Sequence, residues 1–357
     1  VTPVGEFAAP PPRPRPIVVV GAGGIVNDAH LPAYRALGYS VAALVDPDVA
    51  RAKETAARFG IPRVAASLAE AHAPSDAIFD VAVPPQALDS VFAVLPVGAA
   101  ALVQKPFGLD LAAADRLLAV AREKRLTVAV NFQLRFAPNM VRLKELLAAG
   151  YFGDVFECEV RVQVRTPWER WPFLRGLSRM ELPLHSIHYL DLLRSFFGEP
   201  RAVQCRTLPH PAAPGVASTR TTAILDYGDL LRVALSINHH HGAGPEKQAS
   251  ELRLEGVRGA ALAVMGVNLD YPRGAPDRLE LAPLGGPWRE EALAGSWFPD
   301  AFRGPMTDLQ RFVAGESDRL ASPAEDARRT MALVEALALA DRRGGVPLSA
   351  VEEGGGA

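Results

Sequence analysis

A chain of 357 residues with 49 % apolar residues, 22 % charged residues and a formal net charge of −2 has the balance of an ordinary globular protein with room for about two domains. Charge so near neutrality supplies no field for nucleic acid or an anionic membrane surface, so neither is expected as a partner. The two cysteines, Cys158 and Cys205, are too few for a disulfide framework and too far apart for a metal knuckle, which points to a reducing, cytoplasmic setting.

In chain order, residues 1–16 are proline-rich and lack an apolar run, so they read as a disordered lead-in and neither a signal peptide nor a membrane span. Ile17 to Val20 form a continuous β-branched run, suited to a strand buried on both faces of a parallel sheet. The sequence "GAGG" follows at once. Gly21 permits a tight turn, Gly23 lets backbone approach a pyrophosphate, and the helix opening at Gly24 and Ile25 offers its free N–H groups. The third small residue of such a fingerprint is replaced by Val26. A second strand, Val41 to Val45, ends at Asp46, near the spacing at which an acidic side chain meets an adenosine ribose. Its charge would repel a 2′-phosphate, so NAD is expected over NADP.

Apolar runs at 79–84, 100–106 and 126–131 alternate with helical patterns, as in a doubly wound parallel sheet. Ligands in such sheets bind beyond the carboxyl ends of the strands, where Pro84, Gln104 and Lys105 stand. The expected cofactor contacts are therefore Gly21, Gly23, Gly24, Ile25, Asp46, Pro84, Gln104 and Lys105. The second half combines a helix in "ELPLHSIHYLDLLRSFFGEP" with several strand-like segments. In "FECEVRVQVR" Phe156, Cys158, Val160, Val162 and Val164 share one face, the signature of an antiparallel sheet covered on one side. Helical segments at 305–315 and 323–341 close the chain. The expected architecture is an α/β Rossmann domain over 17–131, an α+β domain with a largely antiparallel open sheet over 132–350, and a loose tail over 351–357.

The motifs "VGAGGIVNDAHLPAY", "VQKPFG", "NFQLRFAPN", "SIHYLDLLRSFFGEP" and "SPAEDARRTMALVEALALA", in this order, resemble the glucose-fructose oxidoreductase, inositol dehydrogenase and rhizopine-catabolism family, abbreviated Gfo/Idh/MocA. The resemblance runs from about Ile17 to about Val346. It implies NAD(P)-dependent chemistry on sugars, polyols and related derivatives, and a C-terminal sheet used to form homodimers or homotetramers. The family's Glu-Lys-Pro motif falls on Gln104, Lys105 and Pro106, so Lys105 inherits the role of the catalytic lysine. The family's histidine falls on His188, while the aspartate four positions earlier has become Leu184 and is followed by His185.

On a helical wheel His185, His188 and Asp191 step by about 60° each along one arc. An imidazole suits removal of a hydroxyl proton while the carbon gives up hydride. His188 is read as acid/base, Lys105 as polarising the reacting oxygen, and His185 or Asp191 as orienting or relaying. Packed core histidines are the competing reading. For substrate contacts, Asn131 and Arg135 at the domain junction, Trp168 with an aromatic face for a sugar, and Arg179, Glu181, His185 and Asp191 are the candidates. His30 is a candidate near the cofactor, with capping or packing as the alternative. The "NHHH" run at 238–241 lacks the Cys or carboxylate company of a zinc site, so no metal is expected. Three functions stay open: a sugar or polyol dehydrogenase, redox-neutral carbohydrate chemistry through a transient keto-sugar, or a silent NAD-binding regulator.

Overall fold

The computed structural model describes residues 4–171 and 174–345. Its first half alternates β1 (Ile17–Val20), α1 (Leu31–Ala36), β2 (Val41–Val45), α2 (Val49–Phe59), β3 (Val64–Ala65), β4 (Ile78–Val81), α3 (Leu88–Val94), β5 (Ala100–Gln104), α4 (Leu111–Glu123) and β6 (Thr127–Asn131). The six strands are parallel in the order β3-β2-β1-β4-β5-β6. β1 and β4 are buried along their whole length, β1 as an uninterrupted apolar run and β4 with Asp80 taken up by His30 and Tyr34. Asp48 and Asp110 cap α2 and α4 by accepting the amides of Arg51 and Ala113. Strand order reverses between β1 and β4, which opens a crevice above their carboxyl ends.

The second half contains α5 (Pro138–Ala148), β7 (Val155–Gln163), α6 (Ile187–Phe197), β8 (Ala202–Leu208), β9 (Arg220–Asp226), β10 (Arg232–Asn238), β11 (Ala249–Gly256), β12 (Gly259–Val264), β13 (Arg278–Pro283), β14 (Arg289–Glu290), α7 (Arg303–Val313) and α8 (Ala324–Arg343). Its eight strands run β14-β13-β12-β11-β7-β10-β9-β8. All neighbours are antiparallel except β7 and β10. That parallel pair carries Gln163 and Asn238 to the same end of the sheet. Cys158, Val160, Val162 and Val164 face a core shared with Ile187, Leu190 and Leu193 of α6. The opposite face is open and charged, with Arg232 bonded to Glu157, and Arg161 and Arg253 set across from Glu251 and Glu159.

Three expectations are corrected, and a fourth lies outside the described residues. Residues 4–16 lie along the body: Val4 forms a bridge with Leu293, and the amide of Arg15 donates to Gln310. Phe156, at the end of β7 where the pairing with β11 shifts register, is 38 % exposed and escapes the covered face. Phe302, Met306 and Leu309 return to pack on Ile17, Leu44, Ile78 and Leu102, so the C-terminal segment completes the first domain's core and the two units are not simply consecutive. The expected loose tail at 351–357 falls outside the described residues.

The segment that leaves β6 is fixed to α6 and α8 by Arg135. Its guanidinium donates to both oxygens of buried Asp191 at 2.6 Å and to Asp326 at 2.6 Å, while Thr330 donates to Asp191 at 2.9 Å. Replacing Asp191 by alanine leaves the buried guanidinium with Asp326 as its one remaining carboxylate, and breaking a buried pair from one side costs about 3–5 kcal/mol. Urea unfolding of Asp191→Ala should show that loss; an unchanged midpoint would contradict it.

Candidate active site

A single cavity of about 900 Å³ runs over the carboxyl ends of β1, β2, β4 and β5 and on beneath the second domain. At one end lie Gly21, Gly23, Gly24, Ile25, Asp46 and Pro84, and at the other Gln104, Lys105, His185, His188 and His239. Gly21 holds φ +106°, and a Cβ there would stand 2.4 Å from the Ala82 carbonyl oxygen, so only glycine fits. Around Gly23 and Gly24 a Cβ would meet nothing within 4 Å. Their bare backbone faces open space, as a diphosphate requires. Asp46 Oδ2 accepts the amide of Ala22 at 2.8 Å, and Oδ1 accepts Asp48 N and Arg51 Nη2, each at 2.8 Å. Asp46 thus braces the glycine turn, with a half-exposed Arg51 beside it. These residues fit a dinucleotide.

Beneath the cavity lies a buried polar chain that the sequence left unresolved. His30 sits 2.8 Å from Asp80, which also accepts the hydroxyl of Tyr34 at 2.9 Å. With the proton on Nδ1, Nε2 accepts from Asn131 at 3.3 Å and faces the Gln104 amide at 3.5 Å. Gln104 Oε1 in turn takes the amide of Lys105 at 2.9 Å. An amide at position 104 can donate to an imidazole acceptor where a carboxylate cannot, which rationalises the departure from the family's Glu-Lys-Pro. His30 and Asn131 therefore support the cofactor floor from below and do not line the cavity.

Lys105 crosses to the second domain, where its Nζ donates to the carbonyl of Leu184 at 2.6 Å. That carbonyl is presented by a π-helical turn, Leu182–Ser186, which precedes α6. The turn holds one residue more than an α-turn, so the regular wheel drawn from sequence does not apply here. It nonetheless leaves His185 and His188 on the cavity wall. Burial pulls the Lys105 ammonium down to about 7. His185 and His188 are pushed well below the usual imidazole range, first by burial and then by positive neighbours. Both rings keep a buried Nδ1 with no hydrogen-bond partner.

The other expected substrate contacts are drawn elsewhere. Arg135 and Asp191 satisfy each other at the domain junction, so Asp191 is no partner for His188. Arg179 is clamped to Glu335 at 2.6 and 2.8 Å. Glu181 is buried behind the wall against Ser186 and Thr221. Trp168 stands edge-on behind His185 and His239, with centroids at 5.2 and 6.0 Å, and offers no face to the cavity. Trp171, Tyr271 and Trp297 line the cavity in its place. His239, one of the "NHHH" run, was missed as a site residue because that run was weighed only for metal. Its position at the end of a strand, beside the parallel β7, was the available signal.

Comparison with known proteins places this geometry. The model of an oxidoreductase family with NAD-binding Rossmann fold, GFO_IDH_MocA, matches residues 15–132, and the GFO/IDH/MocA C-terminal domain matches residues 140–262. A trans-1,2-dihydrobenzene-1,2-diol dehydrogenase of Mus musculus is 33 % identical over 186 residues, 49 % of this chain and 55 % of the relative. A D-apiose dehydrogenase of Paraburkholderia graminis is 29 % identical over 183 residues, 49 % of this chain and 48 % of the relative. The alignments thus span about half the length of these curated relatives. An oxidoreductase from Agrobacterium radiobacter, solved in complex with NAD+, L-tartaric acid and magnesium, superposes with a TM-score of 0.77 at 21 % identity, over 95 % of this chain and 100 % of that one. 

Two outcomes follow from this geometry. Gly23→Val puts a branched side chain into the open cradle; it should fold as wild type and weaken NAD+ binding by calorimetry about tenfold or more, whereas unchanged affinity would remove the dinucleotide from this turn. Lys105 titrates near 7 in the folded chain against an ordinary 10.5. Between those values the unfolded chain binds more protons, so raising the pH through this window should stabilise wild type relative to Lys105→Met. Parallel stability profiles would contradict the burial of that amine.

With its glycine turn, strand order, cross-domain lysine and both matched domains in place, the chain belongs to the Gfo/Idh/MocA family of oxidoreductases.

Proposed function

We propose that the chain is an NAD-dependent dehydrogenase acting on a secondary alcohol of a sugar, polyol or glycoside. The observation that carries this reading is that Lys105 and His188, from separate domains, line one cavity with the glycine turn. Bound NAD supplies the hydride acceptor. Neutral His188 accepts the hydroxyl proton, and Lys105 Nζ, anchored on Leu184, donates a second N–H to the reacting oxygen. His185 supports His188 as a relay. Asp46 favours NAD over NADP by repelling a 2′-phosphate, with Arg51 already engaged by its carboxylate. The aromatic wall of Trp171, Tyr271 and Trp297 suits the apolar face of a ring, which is also in keeping with the cyclic diol named for the mouse relative.

Redox-neutral carbohydrate chemistry is the second reading. It is favoured by the presence of three imidazoles in the cavity, more than one alcohol oxidation requires. The open face of the eight-stranded sheet, with both signs of charge interspersed, is the surface we assign to homodimer or homotetramer formation. Both cysteines are free, consistent with a cytoplasmic setting, and among the described residues no helix is long and apolar enough to cross a membrane.

A panel of myo-inositol, D-glucose, D-apiose and trans-1,2-cyclohexanediol tests the reading. At least one should yield NADH, with NAD+ preferred over NADP+ by about tenfold or more, and Lys105→Met and His188→Ala should each lower kcat/KM by about 100-fold or more. Wild-type rates in both variants would contradict the assignment. Substrate turnover without net NADH would select the redox-neutral reading, and sedimentation of the same preparation as a monomer would exclude assembly through the sheet.

A further inference from the structure

We propose that Glu181 and His239 carry the proton released by the substrate out of the cavity, along an internal line of hydroxyls that ends at Thr207. The inference rests on the alcohol oxidation proposed above. Each such oxidation breaks a C–H bond whose electron pair leaves as hydride, and breaks an O–H bond whose proton stays on the enzyme. The site must return that proton to water once per turnover.

His188 is poorly built to keep it. No carboxylate touches its Nδ1, and burial beside Lys105 disfavours the imidazolium. His185, one turn earlier on the same wall, lies against His239 with ring centroids 4.7 Å apart. His239 Nδ1 is engaged by Thr166 Oγ1 at 3.1 Å. Its Nε2 has no hydrogen-bond partner and faces Glu181 Oε1 at 3.7 Å, a gap that a small rotation of the ring closes. Glu181 has no exposed surface. Ser186 Oγ donates to its Oε1 at 2.6 Å, and its Oε2 is hydrogen-bonded to Thr221 Oγ1. From Thr221 the line continues 3.0 Å to Thr207 Oγ1, which donates to the Arg220 carbonyl at 3.1 Å. Thr207 is half-buried on edge strand β8, with the partly exposed Asp341 carboxylate accepting its amide at 2.9 Å.

The donors along this line have a direction. A hydroxyl carries one proton to give. With Thr207 donating to Arg220 and Thr221 donating to Thr207, the remaining hydrogen bond is completed by a neutral Glu181 donating to Thr221. An ionised Glu181 instead accepts from Thr221. These two orders are the loaded and unloaded states of a relay. Burial raises the pKa of Glu181 against the lowering pull of its hydrogen bonds from Ser186 and Thr221. Tyr189 and Cys205, the other titratable groups that sense Glu181, are themselves kept neutral by burial. In each cycle one proton enters from the substrate hydroxyl by way of His188 and His185, and one passes to water from the half-buried Thr207 hydroxyl as it turns from the Arg220 carbonyl, so charge and atoms balance.

Glu181→Gln keeps the shape and removes the acid–base capacity; Thr221→Val leaves Glu181 in place and cuts the next link. The full-length variants are mixed with NAD+ and the fastest alcohol of the panel in weakly buffered solution, following NADH absorbance and a pH-indicator dye together. In wild type the dye should keep pace with NADH. In both variants turnover should fall about tenfold or more, the dye should lag NADH, and added imidazole or formate should restore most of the rate. Proton release in step with NADH, or a loss that diffusible bases do not restore, overturns the proposal. If Glu181→Gln fails to fold, Thr221→Val gives the same reading. If wild type forms NADH from no alcohol, the dehydrogenase reading has failed, and the relay is then read at rest by infrared spectroscopy. A neutral-carboxyl band in wild type that is lost on cutting at Glu181 supports the loaded state, and its absence from wild type overturns it.

Discussion

The hydrogen bond from Lys105 Nζ to the carbonyl of Leu184 ties the site together. It joins the end of β5 to the turn before α6, so the nucleotide-binding domain and the imidazole-bearing wall share one anchor. A neutral carbonyl fixes the amine in place without neutralising its charge. The ammonium therefore keeps the cost of its partial burial, and its pKa falls toward neutrality. A carboxylate in the same place would do the opposite. With leucine at position 184 no side-chain carboxylate meets the amine there, and a main-chain oxygen of the π-helical turn holds it instead.

The neighbouring groups follow the same logic. Three imidazoles and an amine line one cavity, and no carboxylate touches His185 or His188. Burial pushes all three histidines toward the neutral form, and positive neighbours add to this for His185 and His188. Neutral imidazoles accept protons but do not store them. The buried carboxyl of Glu181 lies behind this wall and does not form an ion pair in front of it.

The fold was legible in the sequence because it is written in period. Continuous β-branched runs separated by helical spacing specify a parallel sheet, and alternation in residues 156–164 specifies a one-sided one. The glycine turn was legible because its chemistry is local, whereas the bracing of that turn by Asp46 was not. What the sequence concealed was long-range pairing. Arg135, Arg179, Glu181 and Asp191 are polar residues near the right motifs, yet each is satisfied by a partner brought in from elsewhere: Asp191 and Asp326, Glu335, Thr221, and Arg135. Nothing in their local sequence announces such partners. The same limitation hid His239, whose importance comes from the parallel pairing of β7 with β10, and Trp171, whose exposure to the cavity differs from that of Trp168 only through the turn between them. The return of Phe302, Met306 and Leu309 to the first domain likewise depends on tertiary packing of an ordinary amphipathic helix.

The central claim is that the coenzyme's reactive carbon lies between the amine of one domain and the imidazole of the other. A crystal structure with bound NAD+ tests it most directly. The account predicts the diphosphate on the backbone of Gly23 and Gly24 and the nicotinamide beside Lys105 Nζ and His188. A nicotinamide turned away from both side chains, or a diphosphate bound elsewhere, would contradict it.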